Sequence, residues 1–180
     1  MTGAFLSLLL LQQLLTMAPP KPPVQAIGSS VVILEGVVGS EGRLTNVHVL
    51  QGLTPFVQPS VDAIKEWSFA PELVPRSTSV TFLYRARTLL PDKPYEFAVR
   101  SPCCAVSTYI VDPGYPPNSI GEGSVIMQVR INARGLVESV DTIRPEPSLT
   151  EVAVQAVRRW RFTSNKPSSA IVVISFLRPA

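Results

Sequence analysis

Few residues in this chain could do chemistry, and their spacing argues against most chemistries. Cys103 and Cys104 are adjacent, and the sequence has no other cysteine. Neighbouring cysteines cannot reach ordinary disulfide geometry without strain. Nor do they have the spacing of a disulfide framework or of a Cys-x-x-Cys motif. They read as two loop thiols, with a strained redox pair or a bridge to another chain as the alternatives. His48 is the single histidine, which argues against a zinc or iron centre built from imidazoles. Glu138 and Asp141 lie close together on a strand-like stretch, where such carboxylates are usually solvated. Arg158, Arg159 and Arg161 cluster at the end of a helix-like stretch, where positive charge suits the helix dipole. Contact with an acidic partner or a lipid headgroup is the functional alternative for these arginines. No G-x-S-x-G, H-E-x-x-H or P-loop pattern occurs. The expectation is a protein that is not an enzyme and uses no cofactor or metal.

Composition narrows the class further. The formal charge is only +3, without long basic runs, which argues against nucleic acid. A hydrophobic content of 46% with 16% charged residues suits a folded chain. Residues 4–18, "AFLSLLLLQQLLTMA", form a leucine-rich stretch interrupted by Gln12 and Gln13 and followed by "PPKPP". That stretch is shorter than the roughly 20 residues that span a bilayer. Its length suits a signal-peptide core, with Thr16-Met17-Ala18 as a cleavage site, although no Lys or Arg precedes it. A short inner-membrane anchor is a second reading, and a buried helix of a cytosolic domain a third. The first two imply export, and in a bacterium they imply the periplasm.

The elements that must position these residues repeat. "IKEWSF" (Ile64 to Phe69) and "VRRWRF" (Val157 to Phe162) hold both tryptophans of the chain in one frame, 93 residues apart. The same shift carries Gly28 to Gly121, Val32 to Val125, Gly42 to Gly135 and Ala63 to Ala156, without a gap from Gly28 to Phe69. An internal duplication is the simplest explanation. In the second copy, "SVIMQVRIN" alternates as a strand, Ala133-Arg134-Gly135 forms a tight turn and "LVESVDTI" returns, with alternation slipping near Ser139 as at a bulge. Ser148 and Glu151 have the spacing of a capping box. Leu149, Val152, Ala153, Ala156, Val157 and Trp160 then fall on one helical face. "AIVVISFL" is the last strand. The first copy repeats this plan: Thr54 is the expected N-cap, Phe56, Ser60, Ala63, Ile64 and Trp67 form the helical stripe, and "SVTFLYRA" is the closing strand.

The expected fold is therefore α+β: two tandem β-β-α-β units, each a three-stranded antiparallel sheet with one helix on a face. Residues 1–27 are the export signal or anchor plus a Pro-rich arm. Residues 28–87 are the first unit, 88–114 a connector and 115–180 the second unit. Within each sheet the expected strand order is second, first, third, which leaves the third strand as an edge. Both tryptophans are expected to be buried against their own sheets.

The second unit resembles the C-terminal domain family of TonB, the energy transducer of bacterial cell envelopes. The resemblance rests on Tyr115-Pro116, then "GEGSVIMQVRINARGLVESV", "EVAVQAVRRWRF" and the final strand, and covers Tyr115 to Arg178. Where the family usually has Ala-Arg after Tyr-Pro, Asn118-Ser119 stand here; the first unit is a degenerate copy without Tyr-Pro. The resemblance implies a periplasmic binding module that captures an extended partner segment, such as an outer-membrane receptor peptide, by adding it to the sheet. It thereby implies a link to energy-dependent outer-membrane transport. The implied site is Ile171, Val172, Val173, Ile174, Ser175, Phe176 and Leu177, flanked by Tyr115 and Pro116. The alternative is a non-transducing structural envelope protein whose duplicated domains fill each other's edges. A homodimer and attachment to the inner membrane through residues 4–18 are further partner expectations.

Overall fold

A computed structural model of the protein describes residues 14–24, 28–70, 75–86, 88, 93–116, 119 and 121–177. Most of the apolar stretch 4–18, together with Asn118 and Arg178, lies outside these residues. The elements in chain order are β1 (Leu14–Thr16), β2 (Ser30–Val38), β3 (Leu44–Gln51), α1 (Thr54–Glu66), β4 (Ser68–Phe69), β5 (Arg76–Arg85), β6 (Tyr95–Glu96), β7 (Val106–Ile110), β8 (Gly123–Ile131), β9 (Val137–Arg144), α2 (Thr150–Val157), β10 (Arg161–Thr163) and β11 (Ser168–Phe176).

The fold is α+β, but two separate three-stranded sheets do not form. One six-stranded mixed sheet runs through both halves in the order β3-β2-β5-β11-β8-β9. Each half keeps the order second, first, third, and the two third strands join in parallel from Ile171↔Val80 to Phe176↔Arg85. The physical reason lies in composition. "SVTFLY" and "AIVVISF" are almost continuously apolar, as strands buried on both faces are, so neither tolerates a solvated edge. β3 and β9, which mix polar and apolar residues, take the two edges.

A parallel central pair turns one half over relative to the other, and the helices land on opposite faces. Beneath α1 lie Val32, Leu34, Val80, Phe82, Tyr84, Ile171 and Val173, packed with Phe56, Ile64 and Trp67. Beneath α2 lie Val31, Ile33, Leu83, Met127, Val172 and Ile174, packed with Leu149, Ala153, Val157 and Trp160. Sequence neighbours such as Val31 and Val32 serve opposite cores, as period-two alternation requires. The core is thus shared between the halves.

The expected connector carries elements of the fold over residues 93–114. β7 pairs with β10 on one side and β6 on the other. Ala105, Val106, Ile110 and Val111 are buried in the core under α2. Ser79 Oγ donates to the Ala105 carbonyl, and Thr81 Oγ1 meets Ser107 Oγ at 2.7 Å, so this segment is pinned across β5. A matching arrangement stands 93 residues earlier: β1 pairs with β4 at Leu14↔Phe69, as Ser107 on β7 pairs with Phe162 on β10. The end of the apolar N-terminal stretch is therefore part of the fold, and each half carries more than the expected β-β-α-β elements.

Both tryptophans are buried, at 0% and 1% exposure. The indole N–H of Trp160 donates to the Val111 carbonyl at 2.9 Å, and that of Trp67 to the Ala18 carbonyl at 2.8 Å. The phenylalanine two residues on closes the hairpin turn. Phe162 N–H donates to the Gly135 carbonyl at 2.9 Å, and Phe69 N–H to that of Gly42 at 2.8 Å. Gly135 and Gly42 adopt φ of +76° and +66°, and a Cβ on either would collide with the carbonyl oxygen of the same phenylalanine. Gly135→Ala should therefore cost about 1–3 kcal/mol of strain and lost packing. Urea unfolding checks this, and a change below about 0.5 kcal/mol, the scale of a neutral surface substitution, would mean that the turn relaxes freely.

The expected helix caps differ. Thr54 is the first helical residue, after Leu53 at the N-cap position. Ser148 has φ +63° and its hydroxyl meets Ser119 Oγ at 2.7 Å, so it forms no capping box with Glu151. Thr150 Oγ1 instead accepts from Glu146 N–H and donates to the Glu146 carbonyl, each at 2.8 Å. The slip near Ser139 is a register shift, where β8 passes from Arg130↔Ser139 to Ile131↔Val137.

Candidate functional site

The expected partner-binding strand is closed. β11 pairs in parallel with β5 along Ile171–Phe176 and antiparallel with β8 along its whole length. An added strand needs a row of unpaired N–H and C=O groups, and Ile171, Val172, Val173, Ile174, Ser175 and Phe176 offer no such row. The five apolar side chains among these are buried, and Ser175 Oγ meets Ser124 Oγ at 2.8 Å. Leu177 is half-buried, and its N–H donates to the Arg85 carbonyl at 2.9 Å. Tyr115 does reach this strand: its ring stands edge-on to Phe176 with centroids 5.5 Å apart, and its hydroxyl donates to the Gly121 carbonyl. Pro116 beside it is half-buried. These residues form a structural join between the halves.

A buried ion pair strengthens that join. Arg85, at the end of β5, donates through Nε to Asp112 Oδ1 at 2.8 Å, with both side chains 0% exposed. Asp112 Oδ1 also accepts the Gly114 N–H at 2.9 Å. The guanidinium lies 6.0 Å from the Tyr115 ring centroid.

The free edges of the large sheet are β3 and β9. β3 is bent by two register shifts, and Asn46 has φ +51° there. β9 begins beside a groove of about 1160 Å³. Phe97 and Tyr109 line this groove together with Arg158, Arg159, Arg161 and Leu136. All three arginines are exposed, and Leu136 is 36% exposed although apolar. A single bridge, Leu136↔Arg161, joins the start of β9 to β10. Sequence reasoning found the arginines but missed the groove, because Phe97 and Tyr109 lie in the supposed connector. The alternation in "YEFAV" and "STYIV" was the available signal.

Residues 113–179 match the family model for the Gram-negative bacterial TonB protein C-terminal. No curated protein and no solved structure matches the chain. The TonB-like region begins just after Asp112 and takes in Tyr115-Pro116, both strands of the β8–β9 hairpin, α2 and β11. The Arg85–Asp112 pair thus sits at the seam where the first half meets the TonB-like region.

The remaining candidate residues are dispersed. His48 is exposed on β3, where it stands directly across the antiparallel β2–β3 pair from Glu35. Asp141 lies 3.8 Å from Arg130 across the β8–β9 pair, and Glu138 is exposed, so these two carboxylates do not form an acid pair. Cys103 and Cys104 are free thiols in the loop before β7. Burial, reinforced by the hydrogen bond with Cys103, pushes the Cys104 thiol up to about 12 and keeps it protonated at neutral pH. No helix among the described residues is long and apolar enough to cross a membrane.

Proposed function

We propose that the protein is a periplasmic, non-enzymatic binding module of the bacterial envelope, closed by pairing of two duplicated TonB-like halves, with the β9 edge left for a partner. TonB C-terminal domains are periplasmic transducer and binding domains that interact with proteins such as outer-membrane receptors. The observation that carries the reading is the parallel β5–β11 pair, which consumes the third-strand edge of each half. Support for duplication comes from the matched indole bonds of Trp67 and Trp160 and from the matched glycine–phenylalanine turns.

An extended partner segment then has two edges available, and β9 is the better. It belongs to the TonB-like region and opens onto the groove lined by Arg158, Arg159 and Arg161. Backbone pairing would supply the affinity, and the arginines would favour acidic side chains on the added strand. The structural envelope reading is favoured by the same β5–β11 pairing, since a closed pseudo-symmetric scaffold needs no partner.

Amide chemical shifts separate the two. Extended peptides from outer-membrane receptors of the same organism should perturb the amides of Val137–Arg144 and leave those of Ile171–Phe176 unchanged. Perturbation centred on Ile171–Phe176 would sink the edge assignment. Silence at every peptide concentration would leave the structural scaffold.

A further inference from the structure

Three ligand-type side chains meet away from the β9 edge. Glu35 sits within β2, on the sheet face that Val31 and Ile33 also line, and the loop Ser101–Cys104 lies in front of it. Cys103 Sγ is 3.6 Å and Cys104 Sγ 3.9 Å from Glu35 Oε2, and the two sulfurs are 2.8 Å apart. One ligand atom from each residue lies within 4.8 Å of the others. Proximity of the two sulfurs alone would follow from adjacency in sequence, but Glu35 is 68 residues from Cys103.

The loop is built to hold both thiols on one side. The backbone N–H groups of Cys103 and Cys104 both donate to Ser101 Oγ, each at 3.2 Å. Both cysteines line a cavity of about 560 Å³ bounded on its other side by the turn after β10. Glu35 is half-buried, and among the described residues no base pairs with it. A half-buried carboxylate facing two soft donors is a donor set that suits a thiophilic cation.

We propose that Glu35, Cys103 and Cys104 bind a thiophilic divalent cation of the zinc class, with the fourth position open to the cavity. Thiolate and carboxylate donors both suit zinc, and three protein ligands with one open position is a stable arrangement for it. Binding expels one proton from each thiol; the two thiolates balance the charge of the ion, and no electron is transferred. The sulfurs must spread from 2.8 Å to about 3.8 Å, the separation set by two Zn–S bonds of about 2.3 Å at a tetrahedral angle.

The test uses the full chain, fully reduced with a non-thiol reductant. Zn²⁺ titrated calorimetrically in two buffers of different ionisation enthalpy should show one site per chain and release of about two protons. Co²⁺ in place of Zn²⁺ should give a thiolate-to-metal charge-transfer band and a tetrahedral visible spectrum. Glu35→Gln, Cys103→Ser and Cys104→Ser should each weaken binding by roughly tenfold or more. Thermal melts of the metal-free variants confirm that each still folds. Equal affinity in Glu35→Gln, a Co²⁺ spectrum without thiolate bands, or no uptake by the reduced chain would each overturn the site.

Discussion

An Asp112→Ala protein should lose about 3–5 kcal/mol of stability, because the change removes the carboxylate that Arg85 Nε meets in a fully buried ion pair. Both side chains are fully enclosed, so water cannot replace the lost carboxylate. Arg85 also donates to the Ala86 carbonyl and to Thr88 Oγ1, the latter at 3.2 Å. Asp112 also holds the Gly114 N–H, which adds a second orphaned group. The loss should be greatest at the seam between the halves, so hydrogen exchange at Leu177 N–H, which donates to the Arg85 carbonyl, should accelerate most. Replacing both partners, Arg85→Met with Asp112→Leu, should restore much of the stability, since an apolar pair of similar volume carries no desolvation penalty. Denaturant midpoints of the two single variants and the double variant provide the cycle. A single-variant loss below about 1 kcal/mol, the range of exposed pairs, would show that the pair is solvated in solution.

Trp160→Ala should be comparably severe, at roughly 3–5 kcal/mol, the range of large aromatic truncations in cores. The ring is 1% exposed and lies 6.5 Å from the Phe162 ring, and its N–H satisfies the Val111 carbonyl. The substitution opens a cavity under α2 and orphans that carbonyl at once. Trp160→Phe separates the two effects: it keeps much of the volume but loses the donor, and should cost about 1–3 kcal/mol. Urea unfolding with an unchanged slope would confirm loss of native stability. A loss under about 1 kcal/mol for the alanine variant would mean that the ring is not part of the core.

The site at Ile171–Leu177 and the seam at Arg85 show where local reading stops. A strand that is apolar on both faces announces that it has neighbours on both sides and says nothing about which they are. Val80 through Tyr84 met that description nearly as well as Ile171 through Phe176 did, and the two runs pair in parallel. The third strand is therefore not an open edge in either half, although the order second, first, third holds in each. The capping error has a similar origin. Ser148 and Glu151 have the right spacing, but the Ser148 hydroxyl is taken by Ser119, a partner 29 residues away.

What the amino-acid sequence determined by itself was local and periodic. It set the strand–turn–strand–helix–strand order, the glycine turns, the apolar stripes of α1 and α2 and the burial of Trp67 and Trp160. Each depends on spacings of two, three or four residues, or on one residue type at one backbone conformation. The TonB-like character of the second half belongs here too, since it lies in a linear motif. Only the tertiary structure decided that the halves join in parallel, that their helices cover opposite faces, that β7 enters the core and that Glu35 faces Cys103 and Cys104. These are choices among distant partners with similar surfaces. They are settled by which arrangement buries both faces of β5 and β11 at once, a condition that no short window of sequence contains.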